Sequence, residues 1–364
     1  MPAYLGRAPS IERVASLVLR TAHDLSGPLL LLGLDGVGFN AVEGLWNCND
    51  IARLRSVIPS TSTTAWLTAL TGAGVERHLV PGLFFRPGEG YEPINIAEVK
   101  PGDPSSDGLI PEIPTLFERL REAGIESHTC LGGLTAYPGI WREALFRGSN
   151  QIPSRRFSSL RPEPALAVAA AVDDVDDVLR QVPTKSVVFA YVDLDTSVHQ
   201  YGYDERVIDS LRAIDVAACR WSAEGATVLA VSDHGQVPVS PSEEAVSAWE
   251  RLERSPYAAG AAGGAGRARW LYAAAGREDE LVGEAQAKLE EWADVFDVRQ
   301  LPLNRQLRSR LGAVIALAKD PGFPLPAGHR NWEHGAASEE ELLVPLAYWG
   351  EEQLRLQSML SGEE

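Results

Sequence analysis

The feature that most limits what this chain can fold into is a set of three short, continuously apolar runs that each end in acidic or histidine residues. PLLLLGLDGVG closes on Asp35 and glycines, SVVFAYVDLDTSVHQYG carries Asp193, Asp195 and His199, and ATVLAVSDHG ends on Asp233 and His234. A run that is apolar at every position, not every second one, is the pattern of a strand buried on both faces. Between and around the runs, residues 11–22, 115–124, 164–182 and 204–225 have helical periodicity. Strands alternating with helices predict an α/β fold with a central, mainly parallel sheet sandwiched between helices. Ligands of such sheets gather beyond the strand carboxyl ends, where all three polar clusters fall.

From about 238 to 328 the character changes. AAGAAGGAG (258–266) reads as a small-residue loop, followed by a strand-like RARWLYAAAG and a helical EDELVGEAQAKLEEWADVF. We therefore read 1–237 and 329–364 as the core and 238–328 as an inserted cap that selects substrate. Three cysteines with none close in sequence, Cys48, Cys130 and Cys219, exclude a disulfide framework and fit a reducing compartment. The first residues lack the plan of a signal peptide, and the longest apolar run, Pro28 to Leu34, is too short to span a bilayer. The expectation is a cytoplasmic protein with no membrane association.

Net charge is −17, from 50 acidic and 33 basic side chains, so a nucleic acid polymer would be repelled. A small anionic substrate is compatible with that field only where metal ions supply local positive charge. Asp35, Asp195, His199, Asp233, His234 and His334 offer the carboxylate and imidazole donors that zinc takes, most of them just after strands. Asp195 and His199 are four apart, which puts both on one face of a helical turn. A single Asp after a strand is more often a turn former than a ligand. The conjunction of motifs points to a metal site. The glycines of GLDGVG do not match the spacing of a dinucleotide loop.

LDGVG, PSTSTTAWLTALTG, DLDTSVHQYG, SDHG and EHGAASEEELLVPL, taken in order, resemble the motif series of the alkaline-phosphatase superfamily, most closely its type I phosphodiesterase/nucleotide pyrophosphatase branch. The resemblance spans roughly Leu30 to Trp349. It implies a two-metal site, two Zn²⁺ with Mn²⁺ as the alternative, in which Asp35, Asp233 and His234 bind one ion and Asp195, His199 and His334 the other. Counting ten residues back from Gly72, as the family's nucleophile motif does, gives Ser62 as the attacking hydroxyl, with Thr63 and Thr61 as alternates. A helix N-terminus there would favour both an alkoxide and a phosphate. Asp193 is open between orienting His199 and ending its strand, and His329 between touching substrate and lying on an exposed loop; His78 is given no role, and Trp66 and Trp332 are open between stacking and packing.

The implied activity is hydrolysis of phosphate esters, as a phosphodiesterase or nucleotide pyrophosphatase working through a phospho-enzyme intermediate on Ser62. The implied partner is a small phosphorylated or nucleotide substrate. A phosphomonoesterase or phosphonate hydrolase of the same superfamily is the alternative. A non-catalytic metal- and ligand-binding protein is the alternative outside enzymes. Only Arg330 is basic near the metal motifs, which favours diesters, and the Cys-x-Pro-x-Arg motif of sulfatases is absent.

Overall fold

The computed structural model describes residues 8–24, 27–154, 163–183, 185–325, 331–350 and 356–361. The positions expected for His329 and Arg330 lie outside the described residues. Seven strands form the main sheet, in spatial order Asp50–Arg55, Leu343–Trp349, Thr227–Ser232, Leu29–Asp35, Ser186–Asp193, Glu126–Cys130 and Asn150–Ile152. Neighbours pair in parallel except at Leu343–Trp349, which runs antiparallel to both of its neighbours. The sheet is therefore mainly parallel, and helices cover both faces.

The three apolar runs form its centre, and their alternation assigns each residue to a layer. Leu29, Leu31, Val187 and Phe189 pack on one side with the helices Val14–Asp24, Ser62–Thr71 and Leu116–Glu122. Leu30, Leu32, Val188 and Ala190 pack on the other with Pro164–Leu179 and Glu205–Ala223. Each leucine so buried contributes about 1.5–3 kcal/mol, which is why no polar position interrupts the runs. At Gly33 a Cβ would lie 2.5 Å from the Phe189 ring and 3.0 Å from Trp66. The missing side chain lets the Trp66 indole settle onto the sheet beside Asp35, and Gly33→Ala would displace it.

A second sheet has six strands in the order Ala293–Asp297, Val314–Ala318, Ala268–Leu271, Gly263–Ala265, Phe84–Phe85 and Ile94–Asn95. Two of its strands thus come from 84–95, in front of the region where the sequence changes character. Helices Glu243–Glu253 and Glu278–Leu289 cover it through Trp249, Leu252, Leu281 and Leu289. The stretch expected as a loop at 258–266 contains a strand: Gly263 lies against the Trp270 indole, 2.0 Å from where its Cβ would be, and Gly264 has φ +118°. Its glycines meet a close approach that no other residue allows. A short ladder, Val237–Pro238 with Trp332–Glu333, leads the chain to His334. Among the described residues no helix is long and apolar enough to cross a membrane.

Candidate active site

Asp35 and Asp193 end adjacent parallel strands and stand opposite each other in register. Asp233 and His234 follow the neighbouring strand Thr227–Ser232, and Asp195 opens the helix Asp195–Tyr201, one turn before His199. His334 follows the Trp332–Glu333 strand. The sheet therefore collects these side chains at the strand carboxyl ends, as expected for the topology.

His199 Nε2 is 3.2 Å from Asp195 Oδ2, and His334 Nε2 is 3.6 Å from Asp195 Oδ1. His234 Nε2 is 3.2 Å from Asp233 Oδ2 and 3.6 Å from Asp35 Oδ1. The rings of His234 and His334 stack with centroids 3.7 Å apart. Each imidazole turns its Nδ1 to a main-chain carbonyl: His199 to Trp332 O at 2.7 Å, His334 to Ser60 O at 2.7 Å, His234 to Gly235 O at 3.2 Å. A carbonyl can only accept, so Nδ1 carries a proton in each ring and Nε2 is the atom turned to the carboxylates, the orientation a metal-ligating histidine adopts.

Donor atoms of Asp35, Asp233 and His234 lie within 4.8 Å of one another, as do those of Asp195, His234 and His334, and those of His199, Glu333 and His334. Asp233 is fully buried, and its Oδ2 has no hydrogen-bond partner among the described residues. Such an orphan costs stability unless a cation meets it. The electrostatics agree. Burial first, then the Asp195 charge, raises Asp35 to about 7; burial with the Asp35 and Asp195 charges raises Asp193 to about 7; burial and Asp35 hold Asp233 well above the carboxylate range. Burial lowers His234 and His334 to about 4, while the Asp195 carboxylate overcomes burial to lift His199 to about 9. Three carboxylates and three imidazoles with no lysine or arginine among them fit a pair of divalent cations.

Ser62 is the first residue of the helix Ser62–Thr71, and its Oγ lies 3.0 Å from His234 Nε2 and 3.2 Å from Asp35 Oδ1. The neighbouring hydroxyls are placed differently. Thr61 Oγ1 is 3.1 Å from Thr64 Oγ1 and makes no cap, while Thr63 Oγ1 is buried without a partner among the described residues. Of residues 61–64 only Ser62 is not buried. It opens into a cavity of about 530 Å³ whose walls include Phe84, Asn95, Glu98, Tyr137, Trp141 and Arg269.

Several further groups touch the candidate ligands. Tyr191 donates its hydroxyl to Asp35 Oδ2, and Trp66 Nε1 donates to the same oxygen at 3.1 Å. Gln236 Nε2 donates to Asp195 Oδ1 at 2.6 Å, and Glu333 Oε1 is 3.6 Å from His199 Nδ1. Two signals were available: Tyr191 shares a strand face with Asp193, and Trp66 follows Ser62 by one helical turn. Trp66 is buried and bonded to Asp35, which decides it for packing and orientation. The Trp332 ring packs edge-on against Tyr203, away from the Ser62 cavity. Asp193 accepts from Thr196 N at 3.1 Å and Thr196 Oγ1 at 3.2 Å. His78 lies in the core beside Thr68.

The family model for type I phosphodiesterase/nucleotide pyrophosphatase matches residues 29–326. Among solved structures, the chain is similar to murine ectonucleotide pyrophosphatase/phosphodiesterase 5, at 15% identity and a TM-score of 0.66 over 89% of this chain and 88% of the other. It is also similar to phosphonoacetate hydrolase from Sinorhizobium meliloti 1021 in complex with phosphonoacetate, at 15% identity and a TM-score of 0.67 over 91% and 92% of the two chains. Human ectonucleotide pyrophosphatase/phosphodiesterase 5 gives 15% identity and a TM-score of 0.62 over 88% and 87%. A comparison with curated protein sequences returns no match.

Proposed function

Because this chain belongs to the type I phosphodiesterase/nucleotide pyrophosphatase family, we propose that it is a metal-dependent phosphoester hydrolase that cleaves small phosphodiesters with Ser62 as nucleophile. The observation that carries the reading is the Ser62 hydroxyl, set at a helix N-terminus within 3.2 Å of both Asp35 and His234 and open to a cavity. Asp35, Asp233 and His234 would hold one ion and Asp195, His199 and His334 the other, with zinc as the first choice and manganese admitted by the same donors. Bound there, two divalent cations would polarise a phosphoryl group and lower the pKa of hydroxyls beside them.

The chain's own groups do the rest. Ser62 Oγ attacks phosphorus, the ester bond to the leaving alcohol breaks, the serine proton ends on that alcohol, and the phosphoryl group with its remaining ester is carried on the serine as a diester. Water then attacks the same phosphorus, restoring Ser62 and releasing a phosphomonoester. The first amides of the Ser62–Thr71 helix would stabilise charge on the non-bridging oxygens of a phosphate held at Ser62. Tyr191 and Trp66 fix one Asp35 oxygen so that the other faces Ser62.

Charge on the cavity wall favours diesters. Arg269 is its one arginine or lysine among the described residues, and that guanidinium is engaged by Glu253 at 3.4 Å, Pro324 O at 3.0 Å and the Trp249 face at 4.0 Å. Glu98, Glu333 and Asp193 face the same space, so beyond the bound ions the second charge of a monoester meets carboxylates and no free lysine or arginine. Phe84 and Tyr137, both exposed, offer flat faces for a nucleobase or other ring. The murine neighbour's inactive threonine-to-alanine variant is described in complex with AMP, which is consistent with a hydroxyl nucleophile and a nucleotide product. Residues 238–328 would act as the cap over this cavity, completed by 84–95, on the core of 1–237 and 329–364.

The test is zinc-loaded protein assayed on bis-p-nitrophenyl phosphate, p-nitrophenyl thymidine monophosphate, p-nitrophenyl phosphate and phosphonoacetate, each with a chelator control. Chelator-sensitive turnover faster on the diesters is expected. Faster cleavage of the monoester or of phosphonoacetate would overturn the diester assignment. Zinc uptake with no turnover would make the chain a binder.

A further inference from the structure

The EE-x-x-VPL stretch that closes the motif series holds a side chain that touches neither Ser62 nor the cavity. Glu341 is fully buried, and so is Arg267, whose Nε lies 3.2 Å from Glu341 Oε1. The same Oε1 accepts from Ala336 N at 2.9 Å, and Oε2 accepts from Ser338 N at 3.3 Å. Glu341 also accepts Gly235 N on its main-chain oxygen at 3.0 Å, immediately after Asp233 and His234. Arg267 N donates to His334 O at 2.8 Å. The side-chain pair thus reaches the 334–336 turn through Ala336 N, and the main chains of the same two residues bond Gly235 and His334 in the turns that carry candidate ligands.

The surrounding backbone approaches those turns closely. A Cβ on Gly235 would lie 2.1 Å from Glu340 O, and one on Gly266 would lie 2.3 Å from His334 O. From the other side Ser60 Oγ accepts Gly335 N at 3.0 Å and donates to Ala336 O at 3.0 Å, joining the His334 turn to the segment that leads into Ser62. A buried ion pair is a poor way to gain stability, since apolar residues of similar volume usually serve as well. What an ion pair with directed hydrogen bonds supplies, and apolar packing does not, is fixed orientation.

We propose that Glu341 and Arg267 are positioning residues that hold the Asp233–His234 turn and the His334 turn at the separation a two-metal site requires. This rests on the reading of those side chains as metal ligands. The pair acts on metal affinity through the backbone of the two turns. Loss of groups that orient a ligand shell typically costs about 10- to 100-fold in metal affinity.

The experiment is zinc affinity by competition with a chromogenic chelator, alongside thermal unfolding of the zinc-free proteins. The double variant Arg267→Met/Glu341→Met removes the pair in favour of apolar residues of similar size. Its expected behaviour is a zinc-free melting temperature near wild type and a zinc affinity lower by about 10- to 100-fold. Glu341→Gln, which preserves shape and one acceptor, should lose about tenfold, and serves as the decisive variant if the double one does not fold. Arg267→Lys should recover most of the affinity. A folded variant lacking the pair that binds zinc as wild type does would overturn the proposal, because a purely structural role lowers the melting temperature and leaves affinity unchanged. Wild type that takes up zinc and cleaves no ester would refute the hydrolase reading alone. Wild type that takes up neither zinc nor manganese would refute both.

Discussion

His78 should make the stability of this protein fall steeply in mild acid. The ring is fully buried, with Nε2 3.1 Å from Thr68 Oγ1 and Nδ1 3.1 Å from Val80 N. Val80 N–H donates to Nδ1, so the ring's proton sits on Nε2 and points at the Thr68 hydroxyl, which donates in turn to Thr64 O at 3.0 Å. Both nitrogens are committed in the neutral form, and a second proton would face the Val80 N–H. Burial, aided by the Arg310 charge, pushes the group down from 6.5 to about 3. Between those values the unfolded chain binds a proton that the folded chain refuses, so stability rises with pH. The contribution is complete above about 6.5 and is lost as pH falls, at about 1.4 kcal/mol per unit. From pH 7.5 to 5.0 the loss is about 2 kcal/mol. Urea unfolding of wild type and His78→Gln at both pH values, in saturating chelator, isolates the term, since the other buried histidines titrate alike in both proteins. Wild type should lose about 2 kcal/mol more than the variant over that interval. Equal losses in the two would refute a buried neutral His78 and its grip on the Ser62–Thr71 helix.

Tyr191→Phe removes one of the two donors to Asp35 Oδ2. A hydrogen bond to a charged group is worth about 1.5–3 kcal/mol, so zinc affinity should fall by about 10- to 150-fold; an unchanged zinc titration would remove Tyr191 from the orienting groups. Asp233→Ala should lose bound zinc and turnover together, and retained metal stoichiometry would count against it as a ligand. Trp141→Phe leaves Thr63 O, now bonded to Trp141 Nε1 at 2.9 Å, without that donor. Urea unfolding should show a loss of about 1–3 kcal/mol, and no loss would mean that water or a neighbour replaces the indole.

The central strands were legible because both of their faces are buried, so Leu29–Asp35, Ser186–Asp193 and Thr227–Ser232 carry no polar interruption before their last residues. The outer strands were not. Glu126–Cys130 reads ESHTC and Asp50–Arg55 reads DIARLR, mixed patterns that packing, not periodicity, turns into strands. The same holds for Phe84–Phe85 and Ile94–Asn95, two residues each, which no sequence period can announce. At the site, residues that end strands stood out because charge breaks an apolar run there. Tyr191 and Trp66 did not, since an aromatic in a strand or helix interior reads first as core. Glu341 was hidden differently: it sits among three consecutive glutamates, and only tertiary contact shows that this one is fully buried and paired.

The most direct test of the account is Ser62→Ala, measured for zinc stoichiometry and for turnover of bis-p-nitrophenyl phosphate beside wild type. The hydroxyl is close to the ligand shell but is not one of its six proposed donors, so the variant should keep wild-type zinc and lose turnover. Near wild-type hydrolysis by the zinc-loaded variant would contradict the account and move the nucleophile to Thr63, Thr61 or water.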